Sequence, residues 1–165
     1  MFKVGDFVVK QNTGICRVEE IVMKSLMGSE EKEYYVLAPV EDNRSKMYVT
    51  TDADRTRIRE LMSADEAREF VKHMADIEAV VIKSDKLREK EYKEAFKTNE
   101  PEALVAVMKS LYDRSRVRLA QGKKITSTDE KYLKLAEKTL YSELAFSLGI
   151  DVKEVEAFIA ETIDK

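Results

Sequence analysis

Hydrophobic residues follow two different periods along the chain, and the change falls near residue 63. Before that point, short β-branched or aromatic segments alternate with turn residues such as Gly5-Asp6 and Asn12-Thr13-Gly14, a pattern typical of strands joined by tight turns. It predicts strands at 7–9, 15–22, 33–37 and 47–49, and a fifth, closing strand at 57–59. Five such short strands cannot cover both faces of a flat sheet, so we expect a small, bent β-barrel of the SH3 or Tudor type.

From Ser63 onward the period is that of amphipathic helices. Ser63–Glu66 and Ser127–Glu130 have the spacing of capping boxes, and Pro101 suits a first helical turn. These signals predict helices from 63, over 85–97, from 99 to about 122, over 127–148 and from 151, with 76–84 as a linker or helix extension. Phe70 and Met74 are expected to be buried. The predicted fold class is α+β, with a β-barrel domain at 1–62 and an all-α helical bundle at 63–165.

Charge is distributed unevenly along this sequence. The 165 residues carry 29 basic and 32 acidic side chains, a net charge of -3, yet residues 83–124 hold 12 basic and 7 acidic residues and a net charge of +5. A basic segment in an acidic protein is a candidate surface for a polyanion, although solvated helix faces produce similar local excesses. No apolar stretch approaches the length that spans a bilayer. We therefore expect a cytoplasmic protein without a membrane segment.

The sequence contains no recognisable catalytic constellation. It has one cysteine and one histidine, which excludes an internal disulfide and a Cys/His zinc site. Cys16 lies within a strand pattern and is expected to be an inert, buried residue. Phosphate-binding loops and nucleophile motifs are absent. We therefore expect no catalytic residue, no cofactor and no metal, and interpret the chain as a binding protein.

Several segments, in order and spacing, resemble the CarD/CdnL family of bacterial transcription regulators. The resemblance begins with the opening Phe2–Val9, continues through Gly14, Val18–Ile21 and Glu33–Leu37, and extends to Val105–Leu111 and Ser127–Lys131. It therefore covers nearly the whole chain. It implies a Tudor-like module that binds the RNA polymerase β subunit, followed by a helical domain that contacts promoter DNA at the upstream edge of the bubble. A monomeric regulator of open-complex formation or stability is expected.

The resemblance also assigns residues to each contact. By position, the polymerase-binding residues would be Lys24, Lys46 and Tyr48, of which Tyr48 stands where better-known members carry arginine. Arg88 occupies the position of a tryptophan that the family uses as a minor-groove wedge, and the chain has no tryptophan. The basic segment supplies the other candidates for DNA contact, so the full set is Arg88, Lys90, Lys93, Arg114, Arg116 and Arg118.

Glutamates interleave with these cations at Glu89, Glu91 and Glu94, and they would repel phosphate groups. Together with the missing tryptophan, they leave a second hypothesis open. In that alternative the chain is a protein-protein adaptor that is tethered to RNA polymerase and does not touch DNA.

Overall fold

The computed structural model describes residues 1–163 and contains two structural units, one formed by Met1–Leu61 and one that begins at Met62. The first unit holds five strands, each built on the β-branched or aromatic segments found in the sequence. Their bounds are β1 Phe7–Lys10, β2 Gly14–Lys24, β3 Lys32–Pro39, β4 Met47–Thr50 and β5 Ile58–Glu60.

The five strands form one antiparallel sheet in the order β4-β3-β2-β1-β5. The fifth strand pairs with β1, with Val9 opposite Arg59, and β4 pairs with β3. Within the described residues, no ladder joins β4 to β5, so the predicted closure into a barrel is not confirmed. A register shift between Val18 and Glu20 marks an irregularity in the β2-β3 ladder, which bends the sheet locally.

One face of this sheet carries its hydrophobic core. Side chains at alternating positions of the strands are buried together because a strand presents successive residues to opposite faces. Tyr35 is 1% exposed, and its hydroxyl accepts a hydrogen bond from the Phe2 backbone N–H at 3.0 Å. The core cluster comprises Val8, Cys16, Val18, Tyr35, Leu37, Val49 and Ile58.

Cys16 is buried in this cluster, as expected, and burial raises the pKa of its thiol to about 11. We predict that a disulfide reagent at pH 8 labels Cys16 only on unfolding, because the nucleophile is the thiolate. The unfolded thiol has a pKa near 8.5, so it loses its proton before the folded one does. The thiol's contribution to stability should therefore be complete below about pH 8.5 and decline as the pH rises toward 11.

Two measurements check this prediction. Labelling by the disulfide reagent should follow the unfolding curve in urea, and Cys16→Ala should flatten the alkaline decline in the free energy of unfolding. Rapid labelling in the absence of denaturant would contradict the buried environment of this thiol.

The second unit holds the helices that the 3.6-residue period predicts. Ser63 caps the first of them through a capping box with Glu66, and Gly149, in the left-handed conformation at φ 69°, ends the fourth. The bounds are α1 Ala64–His73, α2 Arg88–Lys97, α3 Pro101–Ala120, α4 Ser127–Leu148 and α5 Val152–Ile163. No helix in the described range has the length and apolar character needed to cross a membrane.

Two sequence predictions need correction here. The N-cap of α4 is Thr126, whose hydroxyl accepts the Asp129 N–H at 3.2 Å, one residue earlier than predicted. Phe70 is only partly buried, because Val71 takes the fully buried position on α1. Met74 is buried as expected, although it lies in a short 3-10 turn that follows the helix.

Between α1 and α2 the chain runs in an extended path across the helices. Val80 and Ile82 pack against a buried cluster formed by residues of α2, α3 and α4, while Val81 is exposed, which is the period-2 alternation of an extended chain. The start of this segment is held by Lys109, whose ammonium donates hydrogen bonds to the carbonyls of Met74, Ala75 and Ile77. This linker is therefore an ordered part of the helical unit.

The core of the helical unit is formed mainly by α1, α3, α4 and α5. Its buried side chains recur at helical spacing on each contributing helix, as the sequence pattern requires. Glu143 is also buried, and its carboxylate accepts the Met62 backbone N–H at 3.1 Å. The principal members of this core are Ala67, Val71, Leu104, Val105, Met108, Ala136, Leu140, Leu144 and Val155.

Candidate functional site

Two of the three residues predicted to bind polymerase meet on the sheet of the first unit. The Lys24 ammonium donates a hydrogen bond to the Tyr48 hydroxyl at 3.2 Å and lies 4.7 Å from the centre of its ring. Tyr34 packs edge-on against the same ring at 6.3 Å. Lys24 comes from β2 and Tyr48 from β4, and β3 lies between these strands. The fold therefore builds an exposed cation-aromatic pair from residues 24 positions apart.

Lys46, the third predicted residue, is exposed and directly precedes β4. Within the described chain, β4 pairs on one side only, with β3, so its outer edge leaves backbone groups available to a further strand. Tyr48 is 38% exposed at this edge strand. The region can accept an extended segment and offers positive charge beside an aromatic ring.

The predicted DNA-binding residues of the second unit fall into two groups. Arg88 and Arg114 belong to the first group and turn toward Asp129, which is only 2% exposed. The Arg114 Nε atom lies 2.8 Å from one carboxylate oxygen of Asp129, close enough for an ion pair although not aligned for a hydrogen bond. The Arg88 Nε atom lies 3.8 Å from the other oxygen. The side chains of Arg88 and Arg114 are 12% and 23% exposed.

Tyr92 completes this cluster from the middle of α2. Its hydroxyl donates a hydrogen bond to Asp129 at 3.0 Å, and burial together with this carboxylate raises the pKa of Tyr92 well above its usual value. The Arg88 guanidinium lies 5.8 Å from the Tyr92 ring. Arg114 also donates a hydrogen bond to Asp85 at 2.9 Å. We call the set Arg88, Tyr92, Arg114 and Asp129 the Asp129 cluster, and it ties α2, α3 and the start of α4 together.

A second contact between α2 and α4 lies beside this cluster. The Tyr132 ring packs 5.3 Å from the Tyr92 ring, and its hydroxyl donates a hydrogen bond to Glu89 at 3.0 Å. That bond, followed by the nearby Lys93 ammonium, lowers the pKa of Glu89, so the carboxylate stays ionised. Glu89 therefore has a structural role in the fold in addition to its charge.

Three of the four predicted DNA-binding residues in the second group are exposed. Lys90 and Lys93 are exposed and lie three residues apart, on one face of α2; Lys93 approaches Glu89 at 3.5 Å. Arg116 is 77% exposed and paired with Asp113, and the Arg118 Nε donates to the Lys124 carbonyl at 2.8 Å. We call these four cations, of which Arg118 is half-buried, the exposed basic set. Their acidic partners are themselves exposed, so the four cations can contact a polyanion without leaving a buried carboxylate unpaired.

Asp129 itself was missed by the sequence analysis, which assigned it only to a cap. A signal for it was present, because Asp129 precedes Leu133, Ala136 and Leu140 at intervals of four, seven and eleven residues, on the apolar stripe of α4. A carboxylate on a buried stripe requires cationic or hydrogen-bonding partners. That requirement points to arginines of neighbouring helices.

Comparison with known families agrees with the two units. Residues 2–62 match the CarD-like/TRCF RID domain, and residues 69–160 match the CarD C-terminal domain. This chain belongs to the CarD-like family. Among curated proteins, none matches it significantly.

Membership of the CarD-like family defines the broad function of the protein. Its first unit matches the RNA polymerase interaction domain shared by CarD and TRCF proteins, so the CarD-like protein is a transcription factor that interacts with RNA polymerase. CarD-like families are non-catalytic. The family match identifies RNA polymerase as the partner. The Lys24–Tyr48 region of the sheet and the exposed basic set of the helical unit are the two candidate contact surfaces.

Proposed function

We propose that the CarD-like protein binds the β subunit of bacterial RNA polymerase through residues 1–62 and acts on promoter open complexes in the cytoplasm as a monomer. The observation that supports this most is the pairing of Lys24 with Tyr48 of the edge strand β4. An extended segment of the β subunit adds to that edge through backbone hydrogen bonds. Lys24 and Lys46 then bind its acidic side chains. The register shift between Val18 and Glu20, an irregularity of the kind that bends a sheet, supports a Tudor-like shape for the module.

Charge reversal at Lys24 tests this interface. We expect full-length Lys24→Glu to bind RNA polymerase core enzyme at least about tenfold more weakly than the unchanged protein, because the variant places a carboxylate where a cation contacts the partner. Fluorescence anisotropy with labelled protein measures the affinity. Lys3→Glu makes the same charge change at an exposed residue outside the strands and serves as the control.

The comparison between Lys24→Glu and Lys3→Glu distinguishes a local contact from general electrostatic attraction. Equal weakening by both variants would contradict the assignment of Lys24, as would equal binding by Lys24→Glu and the unchanged protein. Circular dichroism of each variant verifies that the sheet is intact.

We propose in addition that the helical unit, residues 63–165, contacts promoter DNA at the upstream edge of the bubble. The exposed basic set neutralises phosphates, while Arg88 and Arg114 position α2 and α3 through Asp129. We also predict that Arg88 enters a minor groove, where the negative potential favours arginine. This entry requires the Arg88 guanidinium to leave Asp129. Binding to fork-junction DNA tests this contact. If it is undetectable at 50 mM salt while polymerase binding persists, the adaptor function replaces DNA contact.

A further inference from the structure

A shallow groove lies on the helical unit, away from the Asp129 cluster. Its volume is about 400 Å³, and its apolar wall is formed by Met62, Phe70 and Ile77. These three side chains pack only partly into the hydrophobic core, so part of each stays accessible. The volume lies within the range of about 300–1,000 Å³ found for small-ligand sites, which gives room for one or two large apolar side chains.

The rim of this groove is acidic. Glu66, Glu69 and Glu102 line it together with His73, and all four residues are exposed. A hydrogen bond from Lys72 and the charge of that ammonium lower the pKa of Glu69, so its carboxylate is ionised near neutral pH. The Glu102 carboxylate makes no hydrogen bond or ion pair with any described residue. Glu69 also lies 3.5 Å from the His73 Nε2 atom. The rim therefore combines negative charge with unused acceptor capacity at Glu102.

Hydrogen bonds around the groove hold its shape. Glu66 accepts the Ser63 N–H at 3.0 Å as part of the α1 capping box, and Lys109 anchors the carbonyl of Ile77. Glu143 holds the Met62 backbone. Both ends of the apolar wall are thus fixed by hydrogen bonds to the backbone. A groove fixed in this way loses little conformational entropy when a partner binds.

We propose that this groove is a second protein-docking site, which binds a basic amphipathic segment of a partner protein. One or two large apolar side chains of that segment insert against Met62, Phe70 and Ile77, and flanking lysines or arginines pair with Glu69 and Glu102. Charge complementarity around the accessible apolar wall favours such a segment. Nucleic acid is excluded from this surface because its phosphates would face three carboxylates. The site does not depend on the proposed DNA contact or on the Lys24 interface.

A synthetic peptide of about twelve residues provides the probe, with leucines at positions i and i+4 and lysines on either side. Fluorescence anisotropy with the full-length protein measures its affinity in low salt. We expect Glu69→Gln and Glu102→Gln each to weaken binding about threefold, and the double variant about tenfold. Asp65→Asn removes the same charge from α1 at a residue outside the groove, 96% exposed, and should leave the affinity unchanged.

Peptide variants separate the apolar and ionic parts of the site. Replacement of the leucines by asparagine, or of the lysines by glutamate, should abolish binding, and Met62→Gln in the protein should weaken it while the Met62 N–H bond to Glu143 is kept. Equal binding of the asparagine peptide, equal weakening by Asp65→Asn, or no binding of the leucine peptide would each overturn the proposal. Concentration-dependent self-association that Glu69→Gln abolishes would likewise overturn it, because a second copy would then be the occupant.

Discussion

Replacement of Asp129 by alanine is expected to lower the free energy of unfolding by about 3 kcal/mol. Asp129 is 2% exposed and faces Arg88, Arg114 and the Tyr92 hydroxyl. Removing one member of a buried ion pair costs about 3–5 kcal/mol, because its partners are left buried without compensation. The lower end of this range applies since both arginine side chains retain some exposure to solvent.

Urea denaturation of the full-length protein, followed by circular dichroism at the helical signal, measures this loss. Asp113→Ala is the matched control, because it also removes an aspartate that pairs with an arginine, here in an exposed pair on α3. Its effect should lie within about 0.5 kcal/mol of zero. A loss below about 1 kcal/mol for Asp129→Ala would show that the arginines are satisfied by solvent without the carboxylate.

Binding of fork-junction DNA should fall about 150-fold when the salt concentration rises from 50 to 200 mM. The exposed basic set offers about four phosphate contacts, and release of the associated counterions gives a slope near -3.6 in a plot of log affinity against log salt. Lys90→Ala should bring this slope about one unit closer to zero. Lys90 is the clearest test, because it is exposed and has no ion pair with a described residue.

Lys134→Ala provides the control for the salt experiment, since Lys134 is an exposed lysine of α4 outside the basic segment, 74% exposed and paired with Glu130. It should leave the slope unchanged. A slope near zero for the unchanged protein would contradict phosphate contact by the basic set. An equal change of slope for Lys90→Ala and Lys134→Ala would instead indicate nonspecific attraction to the whole helical unit.

The sequence indicated Arg88 and Arg114 as candidate DNA contacts through the charge of the basic segment and, for Arg88, through the position of the family tryptophan. Neither signal distinguishes an exposed arginine from one that faces a buried carboxylate. That distinction depends on Asp129, which is 15 residues beyond Arg114 and 41 beyond Arg88 in the chain. The separation between the Asp129 cluster and the exposed basic set is therefore a tertiary property.

The pairing of Lys24 with Tyr48 is likewise a property of the tertiary structure that the sequence did not predict. Both residues were assigned to polymerase binding from their positions in the family resemblance. Nothing in the local sequence pattern around either residue predicts that the two side chains meet across β3. The contact arises because β2, β3 and β4 are neighbours in the sheet. The order of the strands depends on long-range packing, because residues distant in the sequence share one hydrophobic core.

By itself, the sequence determined where the strands and helices lie, because residue period, capping boxes and turn residues act over a few positions. Gly149 ends α4, and Ser63 caps the start of α1, for reasons that are local. Only the tertiary structure decided that the sheet has two edges, that Phe70 stays partly exposed beside an acidic groove, and that Arg88 turns inward. Each of these outcomes depends on which distant side chains share a buried space, and the free energy of burial is set by those neighbours.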